Sequence, residues 1–276
     1  MNLENYMTWF LNYVDKFGNE PKIILKKEHS LRVAENMNNI FNKIGFTDDY
    51  ILLAHFLGLY HDIGRFKQWQ AYHTFYDSKS VDHADYSADN LIKEGLINEI
   101  ISKRNYDLLI YNAIKYHNKL LLPKNLSIKD EQIFSTKMNL DDTIKYSFDS
   151  VTSLYSMAIR DADKLDILKQ YLLSDYFLKT DYLPISDNVF TSFFNNLPIN
   201  KEDRKNLNDV LILRLSFIND INLTESLRLI KKDCLLQKMY EVYPDKENTK
   251  LFFEYADSRL DQLITNNCSH QYVLAK

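Results

Sequence analysis

Apolar side chains recur at steps of three and four along most of the chain, the period of a helix with one buried face. Near the start, Leu3, Tyr6, Met7, Phe10, Leu11 and Val14 share such a face, which predicts a helix over residues 3–16 that closes before Gly18. Pro21 restarts the chain. A second helix is expected from about Ile24 to Ile44, with Val33, Met37, Ile40, Phe41 and Ile44 on its stripe and Gly45 as its stop. Thr47, Asp48 and Asp49 then offer side-chain oxygens to the free N–H groups of a helix start. The run that follows, Ile51 to Leu57, is apolar nearly all round, so its helix is expected to be central. It leads into Tyr60-His61-Asp62-Ile63-Gly64, where Gly64 is expected to end it.

The period breaks from Lys67 to Lys79, where Trp69, Tyr72, His73, Thr74, Phe75, Tyr76 and Asp77 follow no helical spacing; a loop is expected. Ser80 can cap a helix that runs to Glu94 and closes at Gly95, placing His83 in its first turn beside Ala84 and Ala88. Another helix is expected from Tyr106 to His117, with Ile110, Ala113, Ile114 and His117 on one face. Leu120 to Asp142, containing Pro123, reads as a loop or loose helix that serves as a lid or partner surface. From about Ser150 to Leu173 the stripe carries Ile159, Asp163 and Ile167, so a carboxylate sits among β-branched apolar neighbours and needs a partner there. Beyond Pro184 three more helical patterns follow, Asp203 to Asn219, Thr224 to Val242 and Asn248 to Thr265. No repeat or Ser/Gly/Pro-rich linker interrupts them. The expected organisation is a core over residues 1–184 and a helical extension over 185–276 packed on it as one structural unit.

Composition narrows this to an all-α class. The 5 glycines and 5 prolines leave few residues for tight hairpins, while 45% hydrophobic residues supply a sizeable core. A formal net charge of −4 gives no general attraction to polyanions, so duplex nucleic acid is not an expected partner. Cys234 and Cys268 stand apart and form no CxxC, which points away from a disulfide framework or zinc–thiolate site and toward a reducing cytoplasm. Met1 to Tyr6 contains no basic stretch leading into a long apolar run, so no signal peptide or membrane helix is expected.

The candidate chemistry lies in His29, the adjacent His61 and Asp62, then His83, His117 and Asp163. Three blocks frame these residues: Glu28-His29-Ser30-Leu31-Arg32-Val33-Ala34, His61-Asp62-Ile63-Gly64-Arg65-Phe66, and Arg160-Asp161-Ala162-Asp163-Lys164-Leu165-Asp166. In content and order they resemble the HD-domain superfamily of metal-dependent phosphohydrolases. The stretch Thr74 to Ala84 is also similar to a bacterial subfamily of HD proteins, and the resemblance extends over roughly Lys22 to Gln170.

The resemblance implies an HD-type helical bundle in which His29, His61, Asp62 and Asp163 hold one cation. In two-metal members the paired aspartate bridges two ions and two intervening histidines complete the second position, the places that His83 and His117 occupy. A catalytic acid, or a buried hydrogen-bonded histidine, is the other role open to these two. Imidazole and carboxylate without thiolate suit Mn²⁺, Fe²⁺, Ni²⁺, Co²⁺ or Zn²⁺. One or two such ions could polarise phosphoryl oxygens and bring the pKa of water from about 15.7 toward about 7. Asp62, His83 and Lys164 are the expected catalytic residues, and Arg32, Arg65 and Lys164 the expected phosphate contacts. His55 lies two helical turns from Asp62, His73 in the expected loop and His270 in the tail, so none is expected to bind the same ion.

The expected substrate is a nucleotide or another small phosphoester. Arg65 stands where deoxynucleoside 5′-monophosphatases of the superfamily place a glutamate, Ile63-Gly64-Arg65-Phe66 lacks the Glu-Asp pair of alarmone hydrolases, and His117-Asn118-Lys119 departs from the cyclic-dinucleotide phosphodiesterases. Two other classes are open: mixed-valence di-iron oxygenases, which use the same His, His-Asp, His, His, Asp order, and a non-catalytic regulator that binds a nucleotide or partner through the aromatic loop and the C-terminal helices.

Overall fold

In the computed structural model, residues 3–102, 104–119, 149–173 and 183–268 are described, and these contain helices and turns with no β-strand. The chain divides into two compact units, Met1–Asp163 and Lys164–Lys276. No described helix is long and apolar enough to cross a membrane.

The first unit opens with α1 (Leu3–Asp15) and α2 (Pro21–Ile44). Pro21 begins α2 where an N–H would be unsatisfied anyway, and Gly45 ends it at φ 91°, its N–H returning to the carbonyls of Phe41 and Asn42. The long helix packs on α3 (Asp48–Tyr60), the mostly buried helix anticipated from its apolar run. Gly58 makes the approach possible, because a Cβ there would lie 2.7 Å from the Cα of Ala34. Tyr60 donates to the Tyr6 carbonyl at 2.8 Å and ties α1 to the end of α3.

Beyond this point the local expectations fail in an informative way. Gly64 does not terminate a helix. It begins α4 (Gly64–Tyr72) after a three-residue turn at His61–Ile63. Its missing side chain serves packing, since a Cβ would fall 2.8 Å from the Ser87 backbone nitrogen; instead Gly64 N–H donates to Ser87 Oγ at 3.0 Å. The expected loop over 67–79 is therefore partly α4, ended by His73 at φ 51°, and partly the 3₁₀ turn Asp77–Lys79. Buried Phe66 and Gln68 hold α4 in place, contacts that periodicity does not reveal.

The next helix starts two residues later than expected, its cap at Asp82 and not Ser80. Asp82 caps α5 (His83–Ala88), accepting from the N–H groups of Ala84 and Asp85, while Ser80 Oγ donates to the Tyr76 carbonyl. A π turn, Asp89–Lys93, continues α5 and Gly95 follows at φ 82°. The short α6 (Ile97–Ile100) was not anticipated, and α7 (Asp107–Lys115) stops before His117, which lies in the turn beyond it. α8 (Asp149–Leu173) carries Asp163, and the division between units falls just after that residue. Asn36 fastens α2 to α8 by donating to the Ala162 carbonyl at 3.0 Å. The segment Leu120–Asp142 and His270 lie outside the described residues.

The second unit is helical as well. It contains α9 (Asp187–Phe194), outside the helices expected from the sequence, and α10 (Leu207–Leu215), opened by a capping box of Asn206 and Asp209 and extended by the 3₁₀ turn Ser216–Asp220. The expected helix from Thr224 to Val242 is two, α11 (Thr224–Lys232) and α12 (Leu235–Val242), broken where Cys234 adopts φ 51°. α13 (Lys246–Cys268) closes the described chain.

Candidate metal centre

Five segments of the first unit bring their polar residues to one place. α2 contributes His29 and, one turn earlier, Lys26; the turn after α3 contributes His61 and Asp62. His83 comes from the start of α5, His117 from the turn after α7, and Asp163 from α8.

Asp62 is the centre. Its Oδ2 lies 3.6 Å from His29 Nε2 and 3.7 Å from His61 Nε2. Its Oδ1 lies 3.7 Å from His83 Nε2 and 3.8 Å from His117 Nε2. Asp163 Oδ1 approaches His29 Nε2 to 3.2 Å. Thus one carboxylate presents each oxygen to a different pair of imidazoles, and both triplets, His29–His61–Asp62 and Asp62–His83–His117, have ligand atoms within 4.8 Å of one another. All six residues expected from the sequence are brought together, Asp163 through its contact with His29.

Hydrogen bonds at the other ring nitrogen decide what these imidazoles can do. His61 Nδ1 lies 2.7 Å from the Gly58 carbonyl and His117 Nδ1 2.6 Å from the Ile114 carbonyl. A carbonyl only accepts, so Nδ1 carries the proton and the Nε2 lone pair faces Asp62. His83 Nδ1 meets Asp77 Oδ2 at 2.5 Å, which has the same effect. Among the described residues, buried His61 Nε2 and Asp62 Oδ1 have no hydrogen-bond partner. Leaving such atoms unsatisfied costs about 1–3 kcal/mol each, and a divalent cation placed against either atom would satisfy it. The donor set therefore fits one or two divalent metal ions.

The electrostatics agree. Burial pushes the pKa of Asp62 up, but Lys26, His61, Arg65 and His83 outweigh it and hold the carboxyl well below the usual range. Asp163 is treated alike: burial raises its pKa, but the bond from His29 and the nearby His61 and His117 outweigh this and hold it below the usual range. Burial lowers the pKa of His61, and that of His117 well below its ordinary value, with neighbouring imidazoles adding to the effect. The carboxylates are thus ionised and these two imidazoles neutral near pH 7, the protonation states that ligation requires.

Lys26 was missed in the sequence. Its ammonium donates to Asp62 Oδ2 at 2.8 Å and lies 5.7 Å from the Phe75 ring centre. The available signal was its position three residues before His29, one helical turn away on the same face. Arg65 is at the site but heavily engaged. Its Nη1 donates to Gln68 Oε1, Phe75 O and Asp77 Oδ1 at 2.7, 2.9 and 2.9 Å, and its Nε is 3.6 Å from Asp62 Oδ1. Arg32 approaches Glu28 at 3.7 Å, and Lys164 pairs with Asp220 at 2.9 Å within the second unit. His55 bonds with the Tyr6 hydroxyl at 3.0 Å and His73 ends α4.

The family model for the HD domain matches residues 27–168, more than half of the chain. No curated protein and no solved structure matches it.

Proposed function

Since the chain belongs to the HD-domain family, we propose that it is a metal-dependent phosphohydrolase, a phosphatase or phosphodiesterase acting on a nucleotide or another small phosphoester. The observation that carries this reading is Asp62, whose two oxygens each face a separate pair of imidazoles. His29, His61, Asp62 and Asp163 would hold one ion, and Asp62, His83 and His117 a second. Bound ions of this kind supply Lewis acidity toward phosphoryl oxygens and lower the pKa of water from about 15.7 toward about 7.

The chain's own groups then orient and neutralise the substrate. With Nη1 engaged by Gln68, Phe75 and Asp77, Arg65 serves to hold the wall of the site. Lys26 is the better phosphate contact, because an ammonium has three donors and its bond to Asp62 uses one. Arg32 remains a candidate contact at the rim. Lys164, held by Asp220, would act only after leaving that partner. His117 is buried and neutral, which suits a ligand and not an acid.

The test is a panel of phosphomonoesters and phosphodiesters with Mn²⁺, Co²⁺, Ni²⁺ and Mg²⁺. Asp62→Ala should lose bound metal and turnover while keeping its helical circular dichroism; full activity in that variant sinks the reading. Oxygen consumption without phosphate release would assign the site to the di-iron oxygenase branch. Ligand binding without turnover of any kind would leave a regulator.

A further inference from the structure

Three of the four imidazoles around Asp62 are aimed by different means. His61 and His117 each give their Nδ1 proton to a carbonyl three residues earlier, on their own segment. These bonds form wherever the local backbone forms. His83 has no such carbonyl. Its Nδ1 is met by the carboxylate of Asp77, six residues away in the 3₁₀ turn Asp77–Lys79.

Asp77 is itself fixed. While Oδ2 faces His83, Oδ1 accepts from Arg65 Nη1 at 2.9 Å and Gln68 Nε2 at 3.3 Å. Gln68 is fully buried and also donates to Ser80 Oγ and the Val81 carbonyl. Arg65 Nε and His83 Nε2 both face Asp62 Oδ1, at 3.6 and 3.7 Å. A ring of four groups, Asp62, His83, Asp77 and Arg65, therefore closes around one side of the centre.

Asp77 is not itself well placed to be a ligand. Asp77, Asp82 and His83 do form a third cluster of possible ligands, but the oxygens of Asp82 are taken by the N–H groups of Ala84 and Asp85, by Asn118 and by Lys119. Both oxygens of Asp77 are likewise spent on His83, Arg65 and Gln68.

We propose that Asp77 is the positioning residue of the second cation position: it sets the Nδ1–H tautomer of His83 and aims Nε2 at the Asp62 Oδ1 side. A carboxylate behind a ligating imidazole fixes its orientation and raises its basicity, and loss of such a partner typically weakens metal binding about 10–100-fold. The first position, on His29, His61, Asp62 and Asp163, does not depend on Asp77. The second ion is accordingly the one that the 74–80 segment controls. This proposal rests on the reading of His83 as a metal ligand, and its test separates the two.

The first measurement uses metal-free protein. Long-range ¹H–¹⁵N spectra of the imidazoles should show His61, His83 and His117 as Nδ1–H tautomers, and Asp77→Ala should convert the His83 signal alone. The second is a calorimetric Mn²⁺ titration. Wild type should bind two ions, Asp77→Ala should keep the first and weaken the second about 10–100-fold, and Asp77→Ala/His83→Ala should be no worse than His83→Ala. That non-additivity marks action through His83, whereas general structural damage would accumulate. An unchanged His83 tautomer and unchanged second-ion affinity in Asp77→Ala overturn the proposal, as does a double variant weaker in metal than His83→Ala. One ion in wild type, with the tautomer still changed by Asp77→Ala, sinks the two-ion reading and supports the hold of Asp77 on His83.

Discussion

At the scale of single residues, the site is a balance between burial and charge. His55, His61 and His117 all have pKa values lowered from 6.5, mainly by burial, so the folded protein holds them neutral where an unfolded chain would protonate them. Below about pH 6.5 the unfolded state then binds more protons, and stability falls as pH drops. Asp62 has the opposite chemistry and the same direction, because its depressed pKa contributes stability that is complete above about pH 3.9 and lost below it. EDTA-treated protein should accordingly melt at a lower temperature near about pH 5.5 than near about pH 7.5. A melting temperature flat over that interval and falling only below about pH 4.5 would assign acid sensitivity to the carboxylates alone.

Among the elements, the contact that matters most is α2 against α3, since it sets His29 against His61 and Asp62. Gly58 lies at that crossing, with the Ala34 backbone where its Cβ would be, and its carbonyl receives His61 Nδ1. Gly58→Ala must push the helices apart, because the Ala34 backbone would lie 2.7 Å from the new Cβ and the Met37 side chain 2.9 Å. It should cost about 1–3 kcal/mol in urea unfolding and weaken the first metal position as well. Loss of stability with metal affinity unchanged would show that the centre tolerates a shift between the two helices.

For the molecule as a whole, every residue of the centre lies within Met1–Asp163. A metal that binds the assembled set and not the unfolded chain stabilises the fold by mass action, so on the proposed reading Mn²⁺ at about 100 times its dissociation constant should stabilise the protein by about 2.7 kcal/mol. Scanning calorimetry with Mn²⁺ against EDTA measures this, and identical traces would mean that no ion is held. The reading of residues 185–276 as an extension without a second catalytic centre remains a proposal. Expressed alone, that segment should give a helical circular dichroism spectrum and neither retain metal nor hydrolyse phosphoesters; a β-rich spectrum or independent activity would refute it.

The helical class, the buried character of α3 and the candidates His29, His61, Asp62, His83, His117 and Asp163, which the fold brings together, can be read from the linear chain. Helical period is a local property, and a family's ligand residues keep their order however the intervening segments fold. The ends of elements were less readable. Gly64 looked like a terminator because glycine ends many helices, yet here its bare Cα admits the Ser87 backbone, a contact between distant segments. Residues 67–72 looked like a loop because buried Phe66 and Gln68, not a regular stripe, hold that helix. The partners of the ligands were hidden for the same reason. Lys26, Asp77 and the engagement of Arg65 depend on where side chains from separate segments meet, which is set by packing and not by spacing along the chain.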